Sequence, residues 1–324
     1  MTRFAVLADA AIAGRELDAS DAAELVELSE GQPFDLFHEA NRIRERVKGR
    51  AVRLCSIINA RSGACSEDCS FCAQSARYRT GVAVYPLVEP GRIARAAEAG
   101  ASAGASAFGI VTSGRGPDRD LARICEAVAE IARRHGGSLE CCASLGSLTE
   151  QSAAALKAAG LVRYHHNLET ARSFFPRVCS THSYDDRVRT LCAAKAAGLQ
   201  VCSGGIFGLG EQWPHRIEMA IELRALGVGR VPINFLNPIP GTPLEGAEPL
   251  APLEGLRIIA IYRFLLPKAD IMVAGGRQRC LGDLQSWVFY AGANAMMIGN
   301  YLTTAGRPPE DDLRMIRALG LQPA

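Results

Sequence analysis

The sequence has 324 residues, 48% of them hydrophobic, with a formal net charge of +2. That length supports a large buried core, as one big domain or two small ones, and the near-neutral balance gives no basic excess for nucleic acid or an anionic membrane. No run of about 18 apolar residues marks a transmembrane helix, and the opening MTRFAVLADAAIAGRELD is poorly suited to a signal peptide, so a soluble cytoplasmic protein is expected.

Residues up to about 50 read as helical. DAAELVELSE and FDLFHEANRIRERVKG carry apolar residues at helical spacing with charges between them. From there a unit repeats: a short apolar strand with a polar end, a loop, then an alanine-rich helix closing on glycine. The strands are VRLCSIIN, SAFGIVTS, SLECCASLG, VRYHHNLE, LQVCSGGIFG, RVPINFLN, DIMVAGGR and NAMMIGNYL. The helices between them are GRIARAAEAGA, DLARICEAVAEIARRHG, TEQSAAALKAAG, YDDRVRTLCAAKAAG, HRIEMAIELRALG and LEGLRIIAIYRFLLP, with DLQSWVFYAGA as the last connection. Strands alternating with helices predict parallel βαβ units. The expected fold class is therefore α/β: an N-terminal helical segment over residues 1–50 and a (β/α)8 TIM-type barrel over residues 51–324. A doubly wound open sheet is the alternative, but no GxGxxG follows the first strand. In such barrels the chemistry gathers at the C-terminal ends of the strands.

Eleven cysteines are many for a cytosolic chain, and an odd number without a secretion signal argues against a disulfide framework. Three of them, Cys65, Cys69 and Cys72, follow the first strand in SGACSEDCSFCAQSARY. Cys-x3-Cys-x2-Cys offers three soft thiolates, one short of a closed tetrahedral site. Three thiolates suit three irons of a [4Fe–4S] cube, leaving the fourth iron for a small molecule. The alternative is a structural zinc completed by a distant cysteine.

Side-chain alternation sorts other cysteines. In SLECCASLG, Cys141 falls with Leu139, Ala143 and Leu145 on the face meeting the helices, while Cys142 falls with Glu140 and Ser144 on the face pointing into the barrel. Cys202 shares the inward face of its strand with Gln200. His165, Asn167 and Glu169 alternate with Tyr164, His166 and Leu168. Cys125 and Cys192 lie on apolar helical stripes and are expected in the core. Cys55 is ambiguous, and His135 and His215 look like helix-edge residues.

The triplet after the first strand resembles the signature of the radical S-adenosylmethionine (SAM) enzymes. More narrowly, HHNLET, THSYDDRV, VCSGGIFGLGE, VPINFL, GTPLEG, AGANAMMIGNYLTTAG and IRALGLQP resemble the biotin synthases, from about residue 50 to the C-terminus. The resemblance implies that Cys65, Cys69 and Cys72 hold a [4Fe–4S] cluster whose fourth iron binds SAM. It also implies that reductive cleavage of SAM yields a 5′-deoxyadenosyl radical. Sulfur is then inserted into dethiobiotin from an auxiliary Fe–S cluster. It further implies that Phe71 packs near adenine, and that Asn167, Glu169 and Arg187 bind the ribose, amino group and carboxylate of SAM. Asn234, and less directly Thr303 and Thr304, are implied to contact dethiobiotin. Cys142 and Cys202 match two auxiliary-cluster cysteines. An electron donor such as flavodoxin or ferredoxin, and a homodimer, follow from the same resemblance.

The chain departs from that pattern at two places. Gly109 stands where the family's second strand supplies an auxiliary cysteine, and Met272 where the seventh supplies an arginine. The usual [2Fe–2S] site cannot be assembled from what remains. Cys179, after the fourth strand, and Cys280, after the seventh, are expected to compensate. With Cys142 and Cys202 they would give four thiolates for a [4Fe–4S]-type auxiliary cluster, with Cys141 in reserve. The rival readings are another radical SAM enzyme on this scaffold, a mutase or a metallocofactor maturation factor, and an electron-transfer or cluster-carrier protein. The open coordination place argues against a carrier.

Overall fold

The computed structural model describes residues 2–324. Three helices precede the barrel: α1 (Arg3–Ile12), α2 (Ala19–Gly31) and α3 (Pro33–Lys48). Each start is set locally. Thr2 caps α1, Asp18 and Asp21 form a capping box on α2, and Pro33 opens α3 at a position that needs no N–H. The apolar stripe of α3, with Leu36, Phe37, Ala40 and Ile43 fully buried, packs on α1 and on the apolar helix α9 (Pro252–Leu265).

The barrel strands are β1 (Ala51–Arg61), β2 (Ala107–Thr112), β3 (Glu140–Ser144), β4 (Arg163–His165), β5 (Gln200–Cys202), β6 (Gly205–Phe207), β7 (Arg230–Phe235), β8 (Asp270–Val273) and β9 (Ala295–Met297). All pair in parallel, and β1 bonds to β2 on one side and β9 on the other, which closes the cylinder. β5 and β6 are successive halves of one barrel strand, so eight staves make the wall, as the alternating pattern predicts. The break between them has a cause in the neighbour. Both halves pair with β7 in one register, Cys202 opposite Arg230 and Gly205 opposite Ile233. The gap faces Pro232, which has no N–H to give the ladder.

Helices α4 (Pro90–Ser102), α5 (Leu121–His135), α6 (Glu150–Ala158), α7 (Tyr184–Ala196), α8 (Trp213–Ala225) and α9 cover the outside. After β8 come α10 (Arg277–Leu281), a 3₁₀ turn and α11 (Trp287–Tyr290), shorter than the expected helix there. After β9, α12 (Pro309–Ala318) leads to β10 (Gln322–Pro323), a two-residue strand added to β1.

The two ends of the barrel differ in chemistry. At the N-terminal end the lumen is closed by charge. Glu140 meets Arg163 at 3.1 Å and Arg230 at 3.5 Å, and Asp270 meets Lys48 at 2.7 Å and Arg53 at 3.4 Å. At the C-terminal end the loops surround a cavity of about 430 Å³.

Candidate active site

The loop after β1 brings all three expected cysteines to that cavity. Its shape is set by its own backbone. Cys65 N–H donates to Gln74 O (3.0 Å), Ala76 N–H to Cys65 O (2.7 Å) and Cys72 N–H to Cys69 O (2.9 Å). Gly63 (φ 72°) and Ala64 (φ 50°) turn the chain in the left-handed region just before the first cysteine. Cys69 is buried, while Cys65 and Cys72 are half-buried. Burial pushes the Cys72 thiol up to about 11, so a metal must displace a proton to be bound there. Phe71 lines the same cavity and packs on the apolar cluster of Phe174 and Val178.

Across from the triplet, the chain leaving β4 carries three polar groups wired together. Asn167 Nδ2 donates to Glu169 Oε2 (3.1 Å), and Gly204 N–H donates to Asn167 Oδ1 (3.2 Å). Arg187, on α7, donates to Asn167 O (2.8 Å) and sits 3.5 Å from Glu169 Oε1. Its second guanidinium nitrogen lies 3.9 Å from Cys69 Sγ, and its Nε is buried without a partner. Glu169 has φ 70°, a costly conformation for a residue with a side chain, and the bridge to Gly205 holds it there. Burial raises its pKa, opposed by Arg187 and Asn167. Asn234 spans two strand ends, donating to Gly205 O (3.1 Å) and accepting from Gly275 N–H (3.0 Å). Thr303 and Thr304 line the cavity from the loop after β9.

Deeper in the lumen a second group of thiols stands together. Cys55 of β1, Cys142 of β3 and Cys202 of β5 pack with Ala107, Met272 and Ala295 in one buried cluster that lines the cavity. The alternation argument is met: Cys142 points inward and Cys141 lies in the outer core. Burial pushes Cys55 to about 11 and Cys142 and Cys202 to about 12, partly offset by Arg230 and Arg163 beneath them. The Nε atoms of both arginines are buried with no hydrogen-bond partner. Three thiols above two orphaned cationic donors fit an anionic, sulfur-rich group. His165 adds a contact, its Nδ1 3.3 Å from Cys202 Sγ; burial lowers its pKa to about 4, which keeps the ring neutral.

Several expected residues lie elsewhere. Cys179 is not beside Cys142 and Cys202: its Sγ is 3.8 Å from Cys69 Sγ. The segment after β4 folds back onto the triplet loop, where Asp68 accepts from the N–H groups of Ser180 (2.9 Å) and Thr181 (3.2 Å). Cys280 is on α10, buried in the outer core with its thiol directed at Leu250 O (3.6 Å). The four-cysteine set Cys142, Cys179, Cys202 and Cys280 is therefore not assembled, and Cys55 stands as the third deep thiol. Cys192 is exposed rather than core, because it lies a step around α7 from the buried Leu191. His215 is a helix-edge residue whose Nδ1 accepts from Gln212 N–H (2.9 Å), and Gly109 and Met272 line the cavity at their expected positions. Arg163 and Arg230 escaped notice, although alternation puts them on the inward faces with His165 and Asn234.

Residues 60–224 match the family model described as Radical SAM superfamily, and residues 232–322 match the Biotin and Thiamin Synthesis associated domain. The chain is 54% identical to the biotin synthase of Geobacter sulfurreducens, over 97% of this chain and 96% of that one. It is 50% identical to the biotin synthase of Nitratidesulfovibrio vulgaris, over 94% of this chain and 84% of that one. Among solved structures it resembles methylornithine synthase (TM-score 0.86, 23% identity, 98% of this chain and 97% of that one). It also resembles the FeFe-hydrogenase maturase HydG from Carboxydothermus hydrogenoformans (TM-score 0.79, 17% identity, 99% and 79%). These structural likenesses speak to the fold alone.

Proposed function

The chain belongs to the biotin synthase family of radical SAM enzymes, and we propose that its barrel holds two iron–sulfur clusters at two depths with both substrates between them. It is a sulfur-inserting enzyme that makes biotin from dethiobiotin, with SAM and a [4Fe–4S] cluster as its reactive pair. Cys65, Cys69 and Cys72 hold the SAM cluster in this reading, and Cys55, Cys142 and Cys202 hold the auxiliary one. The carrying observation is that both thiol triads line one cavity, with Asn167, Glu169 and Asn234 on its wall. When bound, the outer cluster supplies the electron that cleaves SAM, and the inner one supplies sulfur.

The protein's own residues bind and orient. Arg187 meets the SAM carboxylate, and Glu169 and Asn167 meet its amino and ribose groups, each already fixed by hydrogen bonds to the others. Phe71 covers the adenine side. Asn234, braced on two backbone groups, presents a fixed amide edge to dethiobiotin, and Thr303 and Thr304 close the cavity mouth above it. The enclosed lumen keeps water from the radical. Arg163 and Arg230 hold the inner group by charge from below. Three thiols there can hold three irons of a cube, so the auxiliary cluster is read as the [4Fe–4S] type, its fourth iron without a protein ligand. An electron donor such as flavodoxin or ferredoxin, a homodimer, a cytoplasmic setting and the division of the chain near residue 50 complete the reading. No helix among the described residues is long and apolar enough to cross a membrane.

Anaerobically reconstituted protein given SAM, dithionite and dethiobiotin tests the assignment. Biotin detected by mass spectrometry, from protein holding about eight irons and no [2Fe–2S] Mössbauer component, is the expected result. Deoxyadenosine without biotin would favour a mutase or maturation factor. About six irons with a clear [2Fe–2S] signal would overturn the inner cluster type.

A further inference from the structure

A second group of soft ligands lies behind the triplet loop and shares Cys69 with it; its other two members, Cys179 and His182, are unused by the reaction. Cys179 Sγ lies 3.8 Å from Cys69 Sγ, 3.2 Å from His182 Nδ1 and 3.8 Å from His182 Nε2. The two sulfurs and a ring nitrogen of His182 all fall within 4.8 Å of one another. We propose that Cys69, Cys179 and His182 form a mononuclear site for a thiophilic divalent cation of the Zn²⁺ class, filled while the triplet carries no cluster.

The geometry suits a tetrahedral ion. Zn–S bonds of about 2.3 Å place two thiolate sulfurs about 3.8 Å apart, the separation of Cys69 and Cys179. His182 lies within reach of both Cys179 and Glu67, its Nδ1 being 2.7 Å from Glu67 Oε2 and 3.2 Å from Cys179 Sγ, and a turn of the ring about its side-chain bonds aims a ring nitrogen at the two sulfurs. Glu67 is itself held by Thr181 Oγ1 at 2.8 Å. The two segments carrying the ligands are already docked, through Ser70 N–H to Val178 O (2.9 Å) and through Asp68 to Ser180 and Thr181. The backbone already brings the three donors together, so only the His182 ring has to turn, and water completes the fourth position.

The site has a consequence for loading that rests on the reading of Cys69 as a cluster ligand. Both sites draw on the Cys69 thiolate, and in this proposal the cation and the outer cluster exclude each other. A bound cation shields Cys69 and Cys179 from oxidation in the cluster-free chain and leaves when the cluster is built.

The test titrates cluster-free, reduced protein with Co²⁺ under anaerobic conditions, in a Cys55→Ala, Cys142→Ala, Cys202→Ala background that removes the deep thiols. One Co²⁺ per chain is expected, with thiolate charge-transfer and tetrahedral d–d bands that Zn²⁺ abolishes. Cys179→Ala and His182→Ala should lose these bands, while Cys65→Ala and Cys72→Ala keep them. Cys179→Ser, whose hydroxyl preserves the packing, repeats the loss if the alanine variant melts early by circular dichroism. Octahedral spectra, bands that survive at Cys179, or bands lost at Cys65 or Cys72 would overturn the site. Protein with its outer cluster reconstituted should take up no Co²⁺. If it still does while the variants behave as stated, the cation site stands and the mutual exclusion falls, and the iron content of Cys69→Ala shows whether the cluster assignment of Cys69 falls with it.

Discussion

Replacing Arg187 with methionine tests the wiring of the SAM pocket. The substitution keeps most of the aliphatic stem but removes the guanidinium, which sits over the Phe175 ring and faces Glu169. Both residues are buried, at 6% and 9% exposure. At 3.5 Å the attraction lost is about 5 kcal/mol with an effective dielectric constant of about 20. The carboxyl can avoid that full cost by taking up a proton. From an unfolded pKa of about 4.3, protonation at pH 7 costs at most about 3.7 kcal/mol, and about 1.4 kcal/mol less for each pH unit below. The sign follows from the acid being raised in the folded state: stability is greatest below the unfolded pKa and is lost as pH rises. The gap between parent and Arg187→Met should therefore be widest near pH 8, up to about 5 kcal/mol, and should narrow to about 1 kcal/mol at pH 5. Urea unfolding of the cluster-free proteins across that range measures it. SAM affinity of the reconstituted variant should fall at least about 10-fold, the loss of one charge-assisted hydrogen bond. A gap that is flat with pH, or below about 1 kcal/mol at pH 8, would refute the coupling of Arg187 to Glu169.

Cys55→Ala should lose the auxiliary cluster, about four irons per chain, and with it biotin formation. Cys280→Ala and Cys141→Ala should keep the iron and cost about 1 kcal/mol each in stability; iron analysis and urea unfolding separate the outcomes. Arg277 and Asp312 form a fully buried ion pair that also ties Tyr301 to α12, with Arg277 Nε donating to Tyr301 OH at 3.1 Å. Arg277→Met should cost about 3 kcal/mol in urea unfolding near pH 8 and less near pH 5, because burial raises the pKa of Asp312. At Gly276 (φ 76°) an added Cβ would lie 1.9 Å from Phe235 O, while at Gly14 (φ 91°) it would meet open space. Gly276→Ala should therefore cost well over the roughly 1 kcal/mol expected for Gly14→Ala, and equal shifts in thermal unfolding would contradict this.

The barrel was legible because each stave repeats the same grammar, an apolar strand with a polar end and a helix closing on glycine. Alternation alone placed Cys142 and Cys202 inside and Cys141 outside, since a β-strand leaves a side chain no other choice of face. Alternation could also have found Cys55, which shares its face with Arg53 and Ile57; what obscured it was its place outside the matched motif. Loops carry no such rule. Cys179 and Cys280 both follow strand ends, but where each went depends on contacts far along the chain. Asp68 draws Ser180 and Thr181 onto the triplet loop, while the left-handed turn at Gly276 sends α10 outward, so that Cys280 Sγ would lie 3.0 Å from a Cβ placed at Gly255 of α9. Neither pairing leaves a periodic trace in the sequence. Cys192 failed for a simpler reason: one residue past Leu191 is a turn of about 100° around a helix.

The absence of a thiol at Gly109 is coupled to its presence at Cys55. Gly109 is paired with Ile57 on one side and Cys142 on the other. A Cβ at Gly109 would lie 3.0 Å from Ile57 Cγ2, so the space a ligand from β2 would need is already taken by a side chain from β1. Two residues earlier on the same face of β1, Cys55 pairs with Ala107, whose small side chain leaves room beside the thiol in the deep cluster. On the far side of that cluster Met272 pairs with Ala295, a thioether and a methyl where charge is absent, and the cationic donors come from β4 and β7 below. On the proposed reading of Cys55 as an auxiliary ligand, the lumen takes a thiol from β1 in place of one from β2 and carries its positive charge on the floor instead of the wall. Three thiols and cationic support can gather there without a ligand from Gly109 or Met272 because adjacent staves of a closed barrel offer equivalent positions to the same interior.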